Sequence, residues 1–173
     1  MKKISITLLT ITILSQNSFA IETETIGDTL LVLIPSLTYG TTLYLDDKEG
    51  KNQFYKSFAT NAGVTYGLKY AVNRTRPNGK PYSFPSGHTS ATFQSASFIH
   101  KRYGLKYAIP AYLGATFVGY SRVDAKAHHT SDVIAGAIIG TLSGFYFATK
   151  QKKFNIQPLA MKSGYGISID YKW

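Results

Sequence analysis

The chain has 173 residues and no cysteine, so we expect one domain with its own core and exclude disulfides, thiolate chemistry and cysteine zinc sites. Its 19 Lys and Arg against 9 Asp and Glu give a formal net charge of +10. That balance suits an anionic partner, such as a phosphorylated small molecule or an anionic membrane surface. The sequence carries no nucleic-acid recognition motif, and we therefore expect no nucleic-acid partner.

The first twenty residues have the pattern of a secretory signal peptide. Lys2 and Lys3 form a basic start, a short apolar stretch covers 4–14, and small residues at Ser18 and Ala20 occupy the positions that a signal peptidase reads. The apolar stretch is too short to span a bilayer comfortably, although an uncleaved anchor is the alternative. We predict cleavage after Ala20 and a periplasmic or other extracytoplasmic location.

The remaining chain is predicted to be all-α, a helical bundle of about five to six helices over 21–153, with a short hairpin-like tail over 154–173. Apolar residues recur at spacings of three and four along most of the helical part. Proline, glycine and charged turns divide this part into separate helices. The predicted helices cover 26–45 with Pro35 inside, 52–74, 87–102 with Ser86 as its cap, 105–120 with Pro110 inside, and 132–150 with Thr130 or Ser131 as its cap.

The last predicted helix carries three glycines spaced by four residues, Gly136, Gly140 and Gly144. Glycine weakens a helix by about 1 kcal/mol relative to alanine. We therefore expect another helix to pack closely on this ladder of small residues. We also predict that the apolar side chains of this helix form its packing face, namely Val133, Ile134, Ala137, Ile138, Leu142 and Phe145.

The relation of the chain to a membrane is judged from its hydropathy. The apolar segments approach spanning length, but Gly, Ser, Thr and Tyr dilute them, and the mean hydropathy is −0.07. We therefore favour a soluble or peripheral bundle, with contact to a membrane surface, over a spanning one. The tail alternates with period two, which predicts strand, turn and strand; a lone hairpin is marginal in water and needs a partner surface.

Two separated stretches carry residues suited to binding an anion. Lys69 and Arg76 stand seven positions apart, nearly two helical turns, and so project from one side if the helix continues; a solvated basic face has the same pattern. Ser86 and Gly87 open the next helix, where free N–H groups and the helix dipole favour an anion. His88 in the first turn can donate a proton to a leaving-group oxygen.

A third stretch runs from Ser121 to Asp132. Arg122 offers a planar fork of donors that fits a phosphate. His128 and Asp132 are one helical turn apart, so the carboxylate can fix the tautomer of the imidazole. Such a histidine can attack phosphorus and form a covalent intermediate. Alone, a His and an Asp at this spacing also occur as an ordinary surface pair.

In sequence order, the motifs Lys-x6-Arg-Pro, Pro-Ser-Gly-His and Ser-Arg-x5-His-x3-Asp resemble the three-part signature of the type 2 phosphatidic acid phosphatase family. This family includes lipid phosphate phosphatases, bacterial class A acid phosphatases and vanadium haloperoxidases. The run from His128 to Gly136 is especially similar to the third motif of the lipid phosphate phosphatases. The resemblance implies an all-α fold and a phosphoric ester hydrolase that needs no metal and no other cofactor.

The resemblance also implies a role for each matching position. The catalytic residues would be His128 as the nucleophile, Asp132 as the residue that orients it, and His88 as the acid for the leaving alcohol and then the base for water. The phosphate oxygens would be bound by Lys69, Arg76, Ser86, Gly87 and Arg122.

The residues left unassigned are interpreted as structural. We expect Arg74 and His100 to lie on the surface and His129 to lie in a loop. The expected substrate is phosphorylated, with a lipid phosphate favoured. The alternatives are a soluble nonspecific acid phosphatase, a vanadate-dependent peroxidase, and a phosphate or anionic-lipid binding protein without turnover.

Overall fold

The computed structural model describes the backbone of residues 23–151, 153–161 and 164–172, and the side chains of residues 23–151. Its helices are α1 (Thr23–Tyr44), α2 (Lys48–Val72), α3 (Gly87–Tyr103), α4 (Leu105–Asp124) and α5 (Thr130–Phe147). The antiparallel strands β1 (Lys153–Met161) and β2 (Gly164–Lys172) form a hairpin. The predicted all-α bundle is confirmed, and the backbone of the tail has the predicted hairpin form. The predicted signal peptide lies outside the described residues.

Local capping explains where the helices begin and end. The carboxylate of Asp47 accepts a hydrogen bond from the N–H of Gly50 at 2.9 Å, so α2 begins earlier than predicted. Asn73 adopts the left-handed conformation, with φ of 43°, and ends α2. Ser86 caps α3 as predicted, with its Oγ accepting from the N–H of Thr89.

The helix α3 lies at the centre and contacts α1, α2, α4 and α5. Most of its buried side chains are small or polar: Thr89, Ser90, Thr92, Gln94, Ser95, Ala96 and Ser97. They form hydrogen bonds to the surrounding helices. For example, Gln94 Nε2 donates to Ser57 Oγ at 2.7 Å, and Ser57 Oγ donates to the carbonyl of Ser143 at 3.0 Å. This pairing keeps the cost of burying polar groups low.

The glycine ladder forms the packing face of α5. A Cβ at Gly136 would collide with the carbonyl oxygen of Ser86, the N-cap of α3. A Cβ at Gly140 would collide with the carbonyl oxygen of Ser90 in α3. A Cβ at Gly144 would collide with side-chain and backbone atoms of α3. The two helices therefore run in contact from their N-terminal ends onward, and the predicted close packing on the glycines is confirmed.

The predicted apolar packing face of α5 is confirmed only in part. Phe145 packs on His100 of α3, with ring centroids 5.1 Å apart, and Val133 lies against Gly119 of α4. Ile134, Ile138 and Leu142 are instead 56%, 54% and 64% exposed, respectively. The physical reason is the close approach of α3 on the glycine side, which leaves no room there for large side chains.

Large apolar side chains also cover the outside of the other helices. Examples on three helices are Val32, Leu33, Leu37, Val64, Ile109 and Leu113. The interior combines many small and polar side chains with an aromatic cluster around Phe54 and Phe98, whose rings pack edge-to-face. Apolar outer faces of this extent mark surfaces that contact something other than water, such as a partner or a membrane. Among the described helices, α5 alone is long and apolar enough, by length and composition, to cross a membrane.

The helices share two ends. At the upper end, α1, α3 and α5 begin, and α2 and α4 terminate. At the lower end, the guanidinium of Arg102, only 3% exposed, binds both carboxylate oxygens of Asp47, with Nε 2.8 Å from Oδ2. Because Asp47 caps α2, this buried pair joins the end of α3 to the start of α2.

Candidate functional site

A cavity of about 550 Å³ opens at the upper end of the bundle. Two of the eight predicted site residues, Ser86 and Asp132, are fully buried next to residues of its wall. The other six line the cavity: Lys69, Arg76, Gly87, His88, Arg122 and His128. The three separated stretches of sequence therefore converge on one space.

Lys69 and Arg76 shape the loop that precedes α3. Lys69 Nζ donates to the carbonyls of Tyr82 at 3.0 Å and Pro85 at 2.7 Å, which leaves one of its three donors for a ligand. Arg76 Nε donates to the carbonyl of Pro81 at 3.2 Å. The predicted reason for their proximity is wrong, because α2 ends at Val72; a loop, and not a shared helix face, brings Arg76 to the cavity.

Ser86 is placed to donate its hydroxyl proton. Its Oγ accepts from Thr89 Oγ1 at 2.9 Å and from the N–H of Thr89 at 3.4 Å, so its own O–H can serve an anion in the cavity. The N–H of Ser86 donates to the carbonyl of Asp132 at 2.9 Å. This bond holds the N-terminal ends of α3 and α5 together, where both helix dipoles favour negative charge.

His128 lies in the loop before α5 and is 3% exposed. Burial first, and then the charges of Lys69 and Arg76, lower the pKa of His128 from 6.5 to about 4. The ring is therefore neutral at neutral pH, the form with a lone pair available for attack. Its Nδ1 lies 3.8 Å from Oδ2 of Asp132, within ion-pair range but beyond a hydrogen bond, and has no hydrogen-bond partner among the described residues.

Asp132 is held by residues that the sequence analysis did not place in the site. Its Oδ2 accepts from Ser83 Oγ at 2.5 Å and from the N–H of His129 at 2.9 Å. Its Oδ1 accepts from Arg74 Nη1 at 2.8 Å. Arg74 lies at the surface as predicted, with its side chain 40% exposed, but its charge also faces a fully buried carboxylate, a role that was not predicted.

Two further histidines have structural contacts. His129 is the N-cap of α5, in place of the predicted Thr130 or Ser131, and its Nε2 lies 3.1 Å from the carbonyl of Thr75. His100 is half-buried instead of exposed, and its ring packs edge-to-face on Phe145, with centroids 5.1 Å apart. Neither residue lines the cavity.

The first helix contributes to the site although no motif lies in it. Asp28 Oδ1 is 2.9 Å from Nη1 of Arg122 and 3.1 Å from Nε2 of His88. The carbonyl of Glu24 accepts from Nη2 of Arg122 at 3.0 Å. The only signal for this in the sequence is an acidic residue near the start of an otherwise apolar helix.

The cavity changes character with depth. Its upper part is cationic and its middle is polar, where Thr65 Oγ1 and Ser90 Oγ are 3.0 Å apart. Its deeper part lies among apolar and aromatic side chains, namely Leu31, Phe58, Ala62, Tyr66 and Ala91. The arrangement can therefore accommodate a ligand with an anionic head and an apolar body.

Comparison with known proteins decides the family, because residues 52–156 match the PAP2 superfamily. This chain belongs to the PAP2 superfamily. The membership confirms the resemblance seen in the three motifs. It also confirms the predicted class of enzyme, a phosphoric ester hydrolase.

Similar PAP2 proteins include two bacterial enzymes. The chain is 30% identical over 169 residues to the Lipid A 4'-phosphatase of Helicobacter pylori, a match that covers 87% of this chain and 85% of that protein. It is 39% identical over 90 residues to the Lipid A 1-phosphatase of Porphyromonas gingivalis, which covers 50% of this chain but 20% of that protein. The crystal structure of LpxE from Aquifex aeolicus shares the fold with a TM-score of 0.57 at 25% identity, over 69% of this chain and 84% of that one.

Proposed function

We propose that this PAP2 protein hydrolyses phosphomonoesters or diphosphates of lipids through a phosphohistidine on His128. The observation that carries the proposal is the polarity of the cavity, with Lys69, Arg76 and Arg122 at its upper end and apolar side chains below. A phosphorylated lipid has the same gradient, whereas a small soluble monoester would leave the apolar part unfilled. The names of the two bacterial relatives, both lipid A phosphatases, support the same class of substrate.

In the proposed first step, the three cations and the O–H of Ser86 bind the phosphoryl oxygens and stabilise the charge of the transition state. The lone pair of His128 attacks phosphorus, and the bond between phosphorus and the lipid oxygen breaks. His88 donates a proton to that oxygen, so the alcohol leaves neutral. Asp132, the carboxylate nearest to Nδ1 of His128, stabilises the ring while it carries the phosphoryl group.

In the second step, His88 accepts a proton from water as the water oxygen attacks phosphorus. The bond between phosphorus and His128 breaks, and inorganic phosphate leaves the cavity. The cations and helix ends supply the charge stabilisation, so the mechanism requires no metal ion. Within the described residues, no three His, Asp or Glu side chains are grouped as metal ligands.

We also propose that the bundle lies in a membrane with its upper end at the extracytoplasmic surface. The apolar side chains on the outer faces support this interpretation over the soluble or peripheral bundle expected from hydropathy. The predicted signal peptide supports the orientation. Export would leave the start of α1, and therefore the upper end, outside the cytoplasm.

The test is phosphate release from phosphatidic acid and from p-nitrophenyl phosphate, by the full chain in detergent with a chelator present. We expect turnover with the chelator, its loss in His128→Ala, and a strong reduction in Asp132→Asn. His100→Gln is the matched control and should retain activity, because His100 packs against aromatic rings away from the cavity. Acid-labile labelling of the wild type, absent from His128→Ala, would report the covalent step.

Four results would refute the proposal. Activity that survives in His128→Ala would exclude the nucleophile, and dependence on a divalent ion would exclude the mechanism. Phosphate binding without turnover in the wild type would support the binding-protein alternative. Turnover of the aryl ester without turnover of phosphatidic acid would instead favour a soluble nonspecific acid phosphatase.

A further inference from the structure

One carboxylate oxygen connects two residues of the proposed site. Oδ1 of Asp28 lies 2.9 Å from Nη1 of Arg122 and 3.1 Å from Nε2 of His88. The side chain of Arg122 is 4% exposed and that of His88 is 34% exposed. A single acceptor shared by the two side chains fixes their separation and the direction of the imidazole ring.

The approach of α1 to these residues depends on a glycine. A Cβ at Gly27 would collide with the side chain of Ser121 and come within 3.1 Å of Nη2 of Arg122. Because Gly27 has no side chain, the backbone of α1 comes close to α4, and the carbonyl of Glu24 accepts from Nη2 of Arg122 at 3.0 Å. Three contacts from α1 therefore orient the guanidinium, since Oε1 of Glu24 also lies 3.6 Å from Nη1 of Arg122.

These contacts leave both side chains free to act on a phosphate ester. A guanidinium has five N–H donors, and α1 takes one from each terminal nitrogen of Arg122. In His88, Nε2 faces the carboxylate of Asp28, so Nδ1 is the nitrogen left to face a leaving-group oxygen. After Nδ1 gives up its proton, the ring is neutral and its Nε2–H still donates to Asp28.

We infer that Asp28 is a positioning residue for the acid step, holding His88 and Arg122 in the arrangement that protonates the leaving group. The inference rests on the proposed function and deepens it. Asp28 does not touch the substrate in this scheme. Its negative charge near the phosphate works against substrate binding, so its contribution is to the rate of the chemical step and not to affinity.

The test compares two soluble substrates that differ in their need for an acid. The p-nitrophenolate ion is a stable anion and leaves without protonation. The hexyl alkoxide is strongly basic, so hexyl phosphate needs an acid to protonate its leaving oxygen. For hexyl phosphate we expect kcat/KM of Asp28→Asn to fall by about tenfold or more, part of the usual contribution of a general acid. For p-nitrophenyl phosphate we expect little change, and inhibition by vanadate should be unchanged or tighter. Asp124→Asn, which alters an exposed carboxylate at the same end, should match the wild type.

A second variant and a second measurement make the test independent of one substitution. Gly27→Ala should reproduce the selective loss on hexyl phosphate while Asp28 is present, because it moves α1 away from α4. The 15N NMR signal of the His88 ring should shift in Asp28→Asn and stay unchanged in Asp124→Asn. This signal reports the contact whether or not the protein turns over substrate.

The outcomes are distinct. An equal loss on both substrates would mean a structural role, and a gain on both would mean that Asp28 competes with the phosphate; either result overturns the inference. An unchanged His88 signal in Asp28→Asn would also overturn it. A wild type that hydrolyses neither these substrates nor phosphatidic acid would refute the proposed function, and the NMR comparison would then decide the contact alone.

Discussion

His128 lies near two cations and one carboxylate, and burial together with the cations sets its pKa. Asp132 would favour the charged ring, but its oxygens already accept hydrogen bonds from Ser83, His129 and Arg74. Burial, Lys69 and Arg76 all disfavour the charged form. The free protein therefore keeps the proposed nucleophile neutral, and in the proposed mechanism Asp132 becomes important once the ring is phosphorylated and positive.

We expect the ring of His128 to titrate near pH 4, well below the ordinary value of 6.5. The measurement is a 15N NMR titration of histidine-labelled protein, in which four histidines give four pairs of ring signals and His128→Asn identifies the pair of interest. Lys69→Met should raise this pKa, because it removes a nearby positive charge that disfavours protonation. Lys101→Met, at the exposed lower end, should leave it unchanged. A wild-type value near 6.5 would contradict the proposed charge state.

The convergence of the proposed site residues on one cavity could be predicted from the sequence, but their partners could not. His88, Arg122 and His128 stand at motif spacings, which local chain geometry largely preserves. Arg74 and Asp28 reach the site through the path of a loop and the packing of α1, and neither is encoded in local spacing. The predicted helix continued past Val72 to residue 74, and in such a helix the side chain of Arg74 would point away from the site.

At the scale of elements, α5 shows what a hydrophobic pattern predicts and what it does not. The helix and its glycine contact were predicted from sequence, because glycines spaced by four need a close neighbour. The prediction that Ile134, Ile138 and Leu142 face inward was wrong, because the glycines bring α3 too close for large side chains on that face. Here Ile138 and Leu142 point outward, and Gly140 and Ser143 are buried.

The glycine contact gives a prediction about stability. A Cβ at Gly140 would meet the carbonyl of Ser90 and the N–H of Gln94, which are backbone atoms that cannot move aside. We expect Gly140→Ala to reduce the free energy of unfolding by about 1–3 kcal/mol, the usual cost of overpacking. It should also lower kcat, because the contact aligns the ends of α3 and α5 that form the site.

The matched control is Gly63→Ala on α2, where an added Cβ meets nothing within 4 Å. This substitution should be neutral or raise the free energy of unfolding by up to about 1 kcal/mol, since alanine favours helix. Both variants are compared by denaturant unfolding in the same detergent. If Gly140→Ala and Gly63→Ala unfolded with equal free energies, the α3–α5 contact would have room for a methyl group, against the prediction.

At the scale of the whole molecule, polarity is arranged by depth along the bundle as well as from inside to outside. Buried charged groups lie at the two ends, with Arg122, His128 and Asp132 at the upper end and the Asp47–Arg102 pair at the lower end. Between them the outer surface is largely apolar, and the interior combines small and polar side chains with the aromatic cluster around Phe54 and Phe98. This banding matches a bilayer between two aqueous layers, and the amphiphilic cavity opens at the upper boundary.

The banding predicts three different reactivities for introduced cysteines, and the native chain has no cysteine to interfere. Asp124→Cys lies exposed at the upper end and Lys106→Cys lies exposed at the lower end. Leu113→Cys lies on the outer face of α4 between them, where the native side chain is 68% exposed.

In spheroplasts treated with an impermeant maleimide, we expect labelling of Asp124→Cys alone. Lysis should add Lys106→Cys, and only detergent should expose Leu113→Cys, because the thiolate that reacts does not form in hydrocarbon. Rapid labelling of Leu113→Cys in intact membranes would place the bundle in water, and labelling of Lys106→Cys before Asp124→Cys would invert its orientation.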